Sequence, residues 1–96
     1  MKLRESIYEF LHKQPYGTEE VIDINEIHIT KDFEVTIPKK WKMDKCREFV
    51  KEKGYIDTPV TIEIRRNKKC LVDGYVRYLV CKEFGIDKIS VKYIKE

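Results

Sequence analysis

The stretch Leu71-Val72-Asp73-Gly74-Tyr75-Val76-Arg77-Tyr78-Leu79-Val80-Cys81-Lys82-Glu83-Phe84-Gly85 constrains this chain more than any other. Two apolar residues run into an Asp-Gly break, after which Val76, Leu79, Val80 and Phe84 recur at i, i+3, i+4 and i+8, a helical spacing. The pattern predicts a strand, a tight turn and a helix ending at Gly85. Such a turn presents the first free N–H groups of a helix at the end of a strand, where an anion or a phosphate can be held. Asp73, Gly74, Tyr75 and Arg77 are therefore the candidate phosphate-binding residues. Gly74 permits a close backbone approach, and Arg77, one turn in, offers a forked pair of donors. Tyr75 and Tyr78 suit stacking on a base or packing into a core. The same residues also fit a turn with no ligand, in which Asp73 caps the helix and Arg77 pairs with a surface acid.

The flanking segments build a sheet around that turn. Residues 60–64 alternate, with Val60, Ile62 and Ile64 expected inward. Arg65-Arg66-Asn67-Lys68-Lys69 makes a basic turn, Asn67 being suited to a positive backbone dihedral, and Cys70-Leu71-Val72 returns as the second arm of a hairpin. Residues 89–94 form a last strand. Strand–helix–strand connections are right-handed and join parallel strands, so this strand is expected parallel to the one at Cys70, in a mixed sheet.

Upstream, residues 21–29 alternate with a shift of phase around Glu26, which predicts a strand with a bulge or a break. Residues 31–40 contain Pro38 and no helical period, and read as an extended loop anchored by Phe33, Val35 and Ile37. Between Trp41 and Lys53, Met43, Cys46, Phe49 and Val50 share one helical face, and Gly54 stands where a left-handed cap is usual. Residues 2–13 carry Leu3, Ile7, Phe10 and Leu11 as an amphipathic helical stripe, stopped by Pro15 and Gly17. That face packs on the domain or meets a protein partner. The fold class is α+β: a small mixed sheet with packed helices over residues 21–96, and a helical extension over residues 1–20.

The formal charge of +3 is unevenly spread. Residues 1–37 hold four basic and eight acidic groups, and residues 38–96 hold sixteen and nine, so the parts carry −4 and +7. Lys39, Lys40 and Lys42 lie in a run, residues 38–47, of local charge +4, and Arg65, Arg66 and Lys68 crowd the hairpin tip. Both sets are candidate phosphate or nucleic-acid contacts that supply affinity without sequence specificity, and both fit an ordinary solvated surface.

Other classes fall away. No apolar run approaches the ~18 residues of a membrane span, and the N-terminus carries charges where a signal peptide needs an apolar region. The three cysteines form no C-x-x-C pair and lie in apolar-periodic segments, as suits a reducing, cytoplasmic setting and no membrane. There is no phosphate-binding G-x-x-x-x-G-K-[ST], no G-x-S-x-G and no metal-ligand pair, and His12 and His28 lie in separate elements. Glu26, Asp32 and Glu34 remain as a base or as Mg²⁺ holders beside a phosphate, so turnover is left open.

The 71–85 stretch resembles the signature of the ParB/sulfiredoxin-like superfamily, in particular its small ParB-like nuclease-type domains. The order upstream is similar as well: a strand like Val21-Ile22-Asp23-Ile24-Asn25-Glu26-Ile27, a loop and a helix to a Gly, then a Pro-led strand like Pro59-Val60-Thr61-Ile62. The resemblance covers residues 21–94. It implies a phosphate-bearing ligand at the start of the signature helix, a nucleoside triphosphate with Mg²⁺ as the candidate cofactor, and a nucleotide or nucleic acid as partner. Relatives bind CTP or ATP, act in DNA partitioning, transfer phosphoryl groups or reduce oxidised cysteine. Gly74 and Arg77 match the Gly and the second Arg of the Gly-Glu-Arg-Arg signature of partitioning members, with Tyr75 and Val76 in place of its Glu and first Arg. Where sulfiredoxins carry their reactive Cys, this chain has Tyr75. The leading expectation is phosphate binding, associated with DNA. The alternatives are phosphoryl transfer or nuclease activity, and a docking module of a phage or other mobile element that acts through the N-terminal helix.

Overall fold

Strand β3, Val60–Arg65, lies at the middle of the sheet because its alternation puts Val60 and Ile62 on one face, both 0% exposed. The computed structural model describes residues 14–94. Around β3 the five strands run β1 (Glu20–Asp23), β5 (Lys88–Tyr93), β3, β4 (Lys68–Asp73), β2 (Ile27–His28). The β1–β5 and β3–β4 pairs are antiparallel, and the β5–β3 and β4–β2 pairs parallel, so the sheet is mixed as expected. Helices α1 (Lys31–Glu34), α2 (Lys40–Lys53) and α3 (Tyr75–Glu83) complete it. Ile62, Leu71, Val80, Ile89 and Val91 join Val60 in the core, where each such side chain contributes about 1.5–3 kcal/mol by leaving water.

The last strand departs from expectation. β5 pairs not with β4 but with β3, through Val60↔Val91, Thr61↔Lys92 and Ile62↔Tyr93. Both edges of β4 are already taken, one by β3 and the other by β2 through Ile27↔Lys69 and His28↔Cys70. The free edge of β3 is what remains, so the parallel pair is β3 and β5, with β4 and α3 between them in sequence.

Local chemistry accounts for the turns. The hairpin between β3 and β4 has two central residues, Arg66 (φ 50°) and Asn67 (φ 66°), both left-handed, as a tight hairpin that follows strand twist requires. Residues 21–29 break rather than bulge: a 3-10 turn at Ile24–Glu26 separates β1 from β2, opened by the Asp23 carboxylate accepting from the Asn25 N–H at 2.8 Å. α2 ends as predicted, with Gly54 left-handed and its N–H bonded to the Val50 carbonyl at 2.7 Å.

Three expectations need correction. Residues 31–40 are not wholly extended, since α1 forms one turn there and seats Phe33 5.0 Å from the Tyr75 ring. Ile64 is 52% exposed, because it lies near the hairpin tip, past the part of β3 that pairs with β5. In α3 the buried residues are Val80 and Cys81, whereas Phe84 is 41% exposed at the cap. Burial also pushes the Cys81 thiol up to about 12, so it stays a neutral core group.

β1 is held to β5 by side chains as well as by the ladder. The Tyr93 hydroxyl donates to the Glu20 carboxylate, and the Tyr93 N–H to Glu19 Oε1 at 2.9 Å. Partial burial and then the Glu20 bond push the Tyr93 phenol up to about 12 from its ordinary 10.0. A folded-state value above the unfolded one means that the folded chain holds this proton more tightly. The Tyr93 contribution to stability is therefore complete below pH 10 and is lost as pH rises to about 12. Urea titrations across that window should show stability falling with pH, and Tyr93→Phe should flatten the slope.

Candidate functional site

Gly74 is the point on which the site is built. It is the N-cap of α3, in the left-handed region at φ 101°, ψ 27°, and no side chain caps the helix. Asp73 therefore does not play the capping role open to it. The first intrahelical bond runs from the Tyr78 N–H to the Gly74 carbonyl at 3.0 Å, so the N–H groups ahead of it carry the positive end of the helix dipole. Gly74 has a packing role too: a Cβ there would lie 2.7 Å from Val60 Cγ1 and 3.2 Å from Val60 Cα. The turn lies directly on the central strand.

A groove of about 830 Å³ opens in front of this turn, between α1, the segment leading into α2, α2 itself and the start of α3. Asp73, Gly74, Tyr75 and Arg77 all line it, as do Lys39 and Lys42, which sequence had linked to them only by charge. The aromatic rings of Phe33, Trp41, Phe49 and Tyr75 supply apolar wall. Four cations, Lys39, Lys42, Lys45 and Arg77, face four carboxylates, Glu48, Glu52, Asp57 and Asp73. Among the groove-lining residues of α2, Lys42 and Lys45 lie on its first half and Glu48 and Glu52 on its second.

Arg77 is the key cation and it has a partner. Its Nε donates to Asp57 Oδ1 at 2.8 Å, with side chains 30% and 45% exposed. Burial works against the Arg77 charge, but the bond to Asp57 and the nearby Asp57 and Asp73 carboxylates outweigh it and raise its pKa. Cys46, also in the groove wall, has its thiol pushed up by burial first and by Asp57 second. The groove walls are tied together by Arg47 on α2, which forks onto Glu83 of α3 at 2.7 and 3.0 Å and also reaches Asp44 at 2.8 Å.

The other candidates lie elsewhere. Lys40 is outside the groove lining and bonds Asp44 at 2.8 Å. Arg65, Arg66 and Lys68 sit at the far end of β3, five residues from Val60 and hence roughly 17 Å from the Gly74 turn. Arg65 bonds Glu63 at 2.6 Å, and Lys68 borders a second hollow of about 440 Å³ with Glu26, His28 and Lys69. Glu26 is engaged by Lys69 at 2.6 Å, which lowers its pKa. Asp32 and Glu34 are exposed on α1. Among the described residues no group of three or more His, Cys, Asp or Glu side chains converges as metal ligands, and no helix is long and apolar enough to cross a membrane. The predicted N-terminal helix, with its protein partner, lies outside the described residues.

Sequence reasoning passed over Lys45, Asp57 and Trp41 as site residues. The lysine run flagged the neighbourhood of Lys45 and Trp41, but nothing local ties Asp57 to Arg77 twenty residues later.

No family model matches the sequence, and no curated protein does. Solved structures do. The chain is similar to sulfiredoxin from Arabidopsis thaliana, at 14% identity and a TM-score of 0.67, over 80% of this chain and 86% of that one. It is similar to the C-terminally truncated chromosome-partitioning protein ParB from Caulobacter crescentus complexed with CTP-gamma-S, at 12% identity and a TM-score of 0.64, over 80% of this chain and 44% of that one. A free serine kinase in complex with AMP aligns at 14% identity and a TM-score of 0.60, over 85% of this chain and 36% of that one. The chain thus spans less than half the length of the ParB and kinase structures. At these identities it is the architecture that is shared, and the mixed five-stranded sheet with its three helices is the ParB/sulfiredoxin-like fold.

Proposed function

We propose that the groove binds the phosphate groups of a nucleotide or a nucleic acid, at the strand-to-helix turn around Gly74. One observation carries the reading: the uncapped start of α3, Arg77, Lys39 and Lys42 all face a single groove with aromatic walls. Helix N–H donors and a forked guanidinium meet phosphate oxygens, while lysines add charge without geometry. Two structures of the same fold were solved with a nucleotide, ParB with CTP-gamma-S and the serine kinase with AMP, and ParB was also solved with centromeric parS DNA. Those facts belong to those proteins and support the reading by analogy of fold. The Asp57 carboxylate competes for Arg77, so a ligand phosphate exchanges one ion pair for another and binds with modest affinity.

Titrating ATP, CTP and short DNA at low salt, while following the amide resonances of Gly74 and Arg77, tests the proposal. At least one of the three should shift both resonances in a saturable way. No shift with any of them would overturn it.

A further inference from the structure

Large apolar side chains stand in solvent on the segment that leads into α2 and on its first turn: Val35 is 79% exposed, Ile37 91% and Trp41 61%. Scattered apolar residues on a surface are ordinary, but three within seven positions, one of them the only tryptophan in the chain, form a patch. Ile37 and Trp41 line the same end of the groove as Lys39, Lys42 and Lys45. The first turn of α2 contains no acidic residue, although its N-terminus favours one, and its N-cap is Lys39 with no side-chain cap. Local sequence here works against the stability of its own helix in order to gather positive charge around an exposed indole. Departures of that kind mark functional surfaces.

We propose that this end of the groove is a stacking platform for a single strand of nucleic acid: one base lies on the Trp41 indole, and Lys39, Lys42 and Lys45 hold the flanking phosphates. The inference rests on the phosphate-binding reading of the groove and names the ligand class. Base stacking on an exposed aromatic ring within a lysine-bearing groove is sequence-tolerant and selects unpaired bases, because a duplex base already has both faces covered. Lys39 and Lys45 are six residues apart, or about 9 Å along the helix, which suits successive phosphates better than one terminal group. Lys42 Nζ lies over the Trp41 ring, 5.7 Å from its centroid, so the base stacks on the opposite face of the indole with a cation behind it. Glu48 and Glu52 reverse the sign of the groove lining further along α2 and confine the site to a few nucleotides.

Because Trp41 is the single tryptophan, its fluorescence reports on this platform alone. Adding a ten-nucleotide oligothymidylate at low salt should quench it. By anisotropy of a labelled oligonucleotide, Trp41→Ala should weaken binding about tenfold, and Trp41→Phe should restore part of that loss. The logarithm of the binding constant should fall with the logarithm of salt with a slope of about −2, for three lysines on a single strand. Unchanged affinity in Trp41→Ala would overturn the inference. So would tighter binding of a duplex of equal length, or equal quenching by polyglutamate, which would make the surface a general anion or acidic-peptide site. If ATP or CTP moves the Gly74 resonance while the oligonucleotide leaves Trp41 unquenched, the platform fails and the nucleotide reading stands. If no ligand produces either signal, both fail.

Discussion

Replacing Gly74 with alanine is expected to lower stability by about 2–4 kcal/mol, from a left-handed backbone penalty of about 1 kcal/mol and an overpacking cost of about 1–3 kcal/mol. The backbone term follows from φ 101°. The packing term follows from Val60, whose Cγ1, Cβ and Cα would lie 2.7, 3.0 and 3.2 Å from the new methyl group. Val60 has little freedom to yield. It is 0% exposed, β-branched and paired with Val91 in the middle of the sheet. For a domain of this size the loss corresponds to a fall in melting temperature of roughly 10–20 °C. Gly85→Ala is the control, because Gly85 is also left-handed at φ 72° but a Cβ there meets nothing within 4 Å. It should lose only the backbone term. Thermal unfolding followed by circular dichroism decides the matter, and equal losses in the two variants would show that Val60 moves aside freely. One consequence reaches function: loss of ligand binding in Gly74→Ala reports on folding as much as on phosphate contact, so the site is better probed through Arg77 and Trp41.

Where a signal is local, sequence and structure agree. The β3–β4 hairpin, the Gly54 cap, α2 and the Gly74 turn each depend on a few neighbouring residues with strong conformational preferences, and all stand where the pattern put them. α1 escaped because a single helical turn is too short to display a 3.6-residue period. The place of β5 escaped for a different reason. Its strand character is visible in Ile89 and Val91, but its neighbour is decided by which strand edges the rest of the chain leaves free, and β2, only two residues long, is what closes the outer edge of β4. The buried face of α3 is turned from the predicted stripe: Val80 is buried together with Cys81, Tyr75, Val76 and Tyr78 pack against the core, and the helix ends at Phe84.

The site was legible as chemistry and not as geometry. Gly74 and Arg77 could be singled out from spacing alone, and the lysine run from charge. That Lys39 and Lys42 face the Gly74 turn, whereas Arg65, Arg66 and Lys68 lie at the opposite end of β3, depends on how α2 packs beside α3. The Arg47 fork onto Glu83, thirty-six residues away in sequence, belongs to that packing and has no local signature.

Asp57→Asn is expected to strengthen binding of phosphate-bearing ligands about tenfold, and Arg77→Ala to weaken it by a similar factor or more, since hydrogen bonds between charged groups are the strong ones. The opposite signs follow from one ion pair. Asp57 Oδ1 holds Arg77 Nε at 2.8 Å, so a phosphate must displace that carboxylate or share the guanidinium with it. Asparagine keeps the shape and a hydrogen-bonding oxygen but removes the charge, which takes the groove lining from balance to a net positive value. The pair is partly exposed, and pairs of that kind contribute about 0–1 kcal/mol to folding, so the Asp57→Asn variant should remain folded and its gain in affinity should be measurable. Isothermal titration with ATP, CTP and a short oligonucleotide, on the parent chain, each single variant and the double variant, separates the effects. If Asp57 acts by holding Arg77 back, its replacement gains nothing once Arg77 is alanine, and the two changes are strongly non-additive. If Asp57→Asn gains as much in the absence of Arg77, the carboxylate acts only through the general field of the groove and Lys39 and Lys42 carry the phosphate. A loss of affinity in Asp57→Asn would instead make Asp57 a ligand-holding group in its own right, and the assignment of Arg77 as the principal phosphate contact would then be untenable.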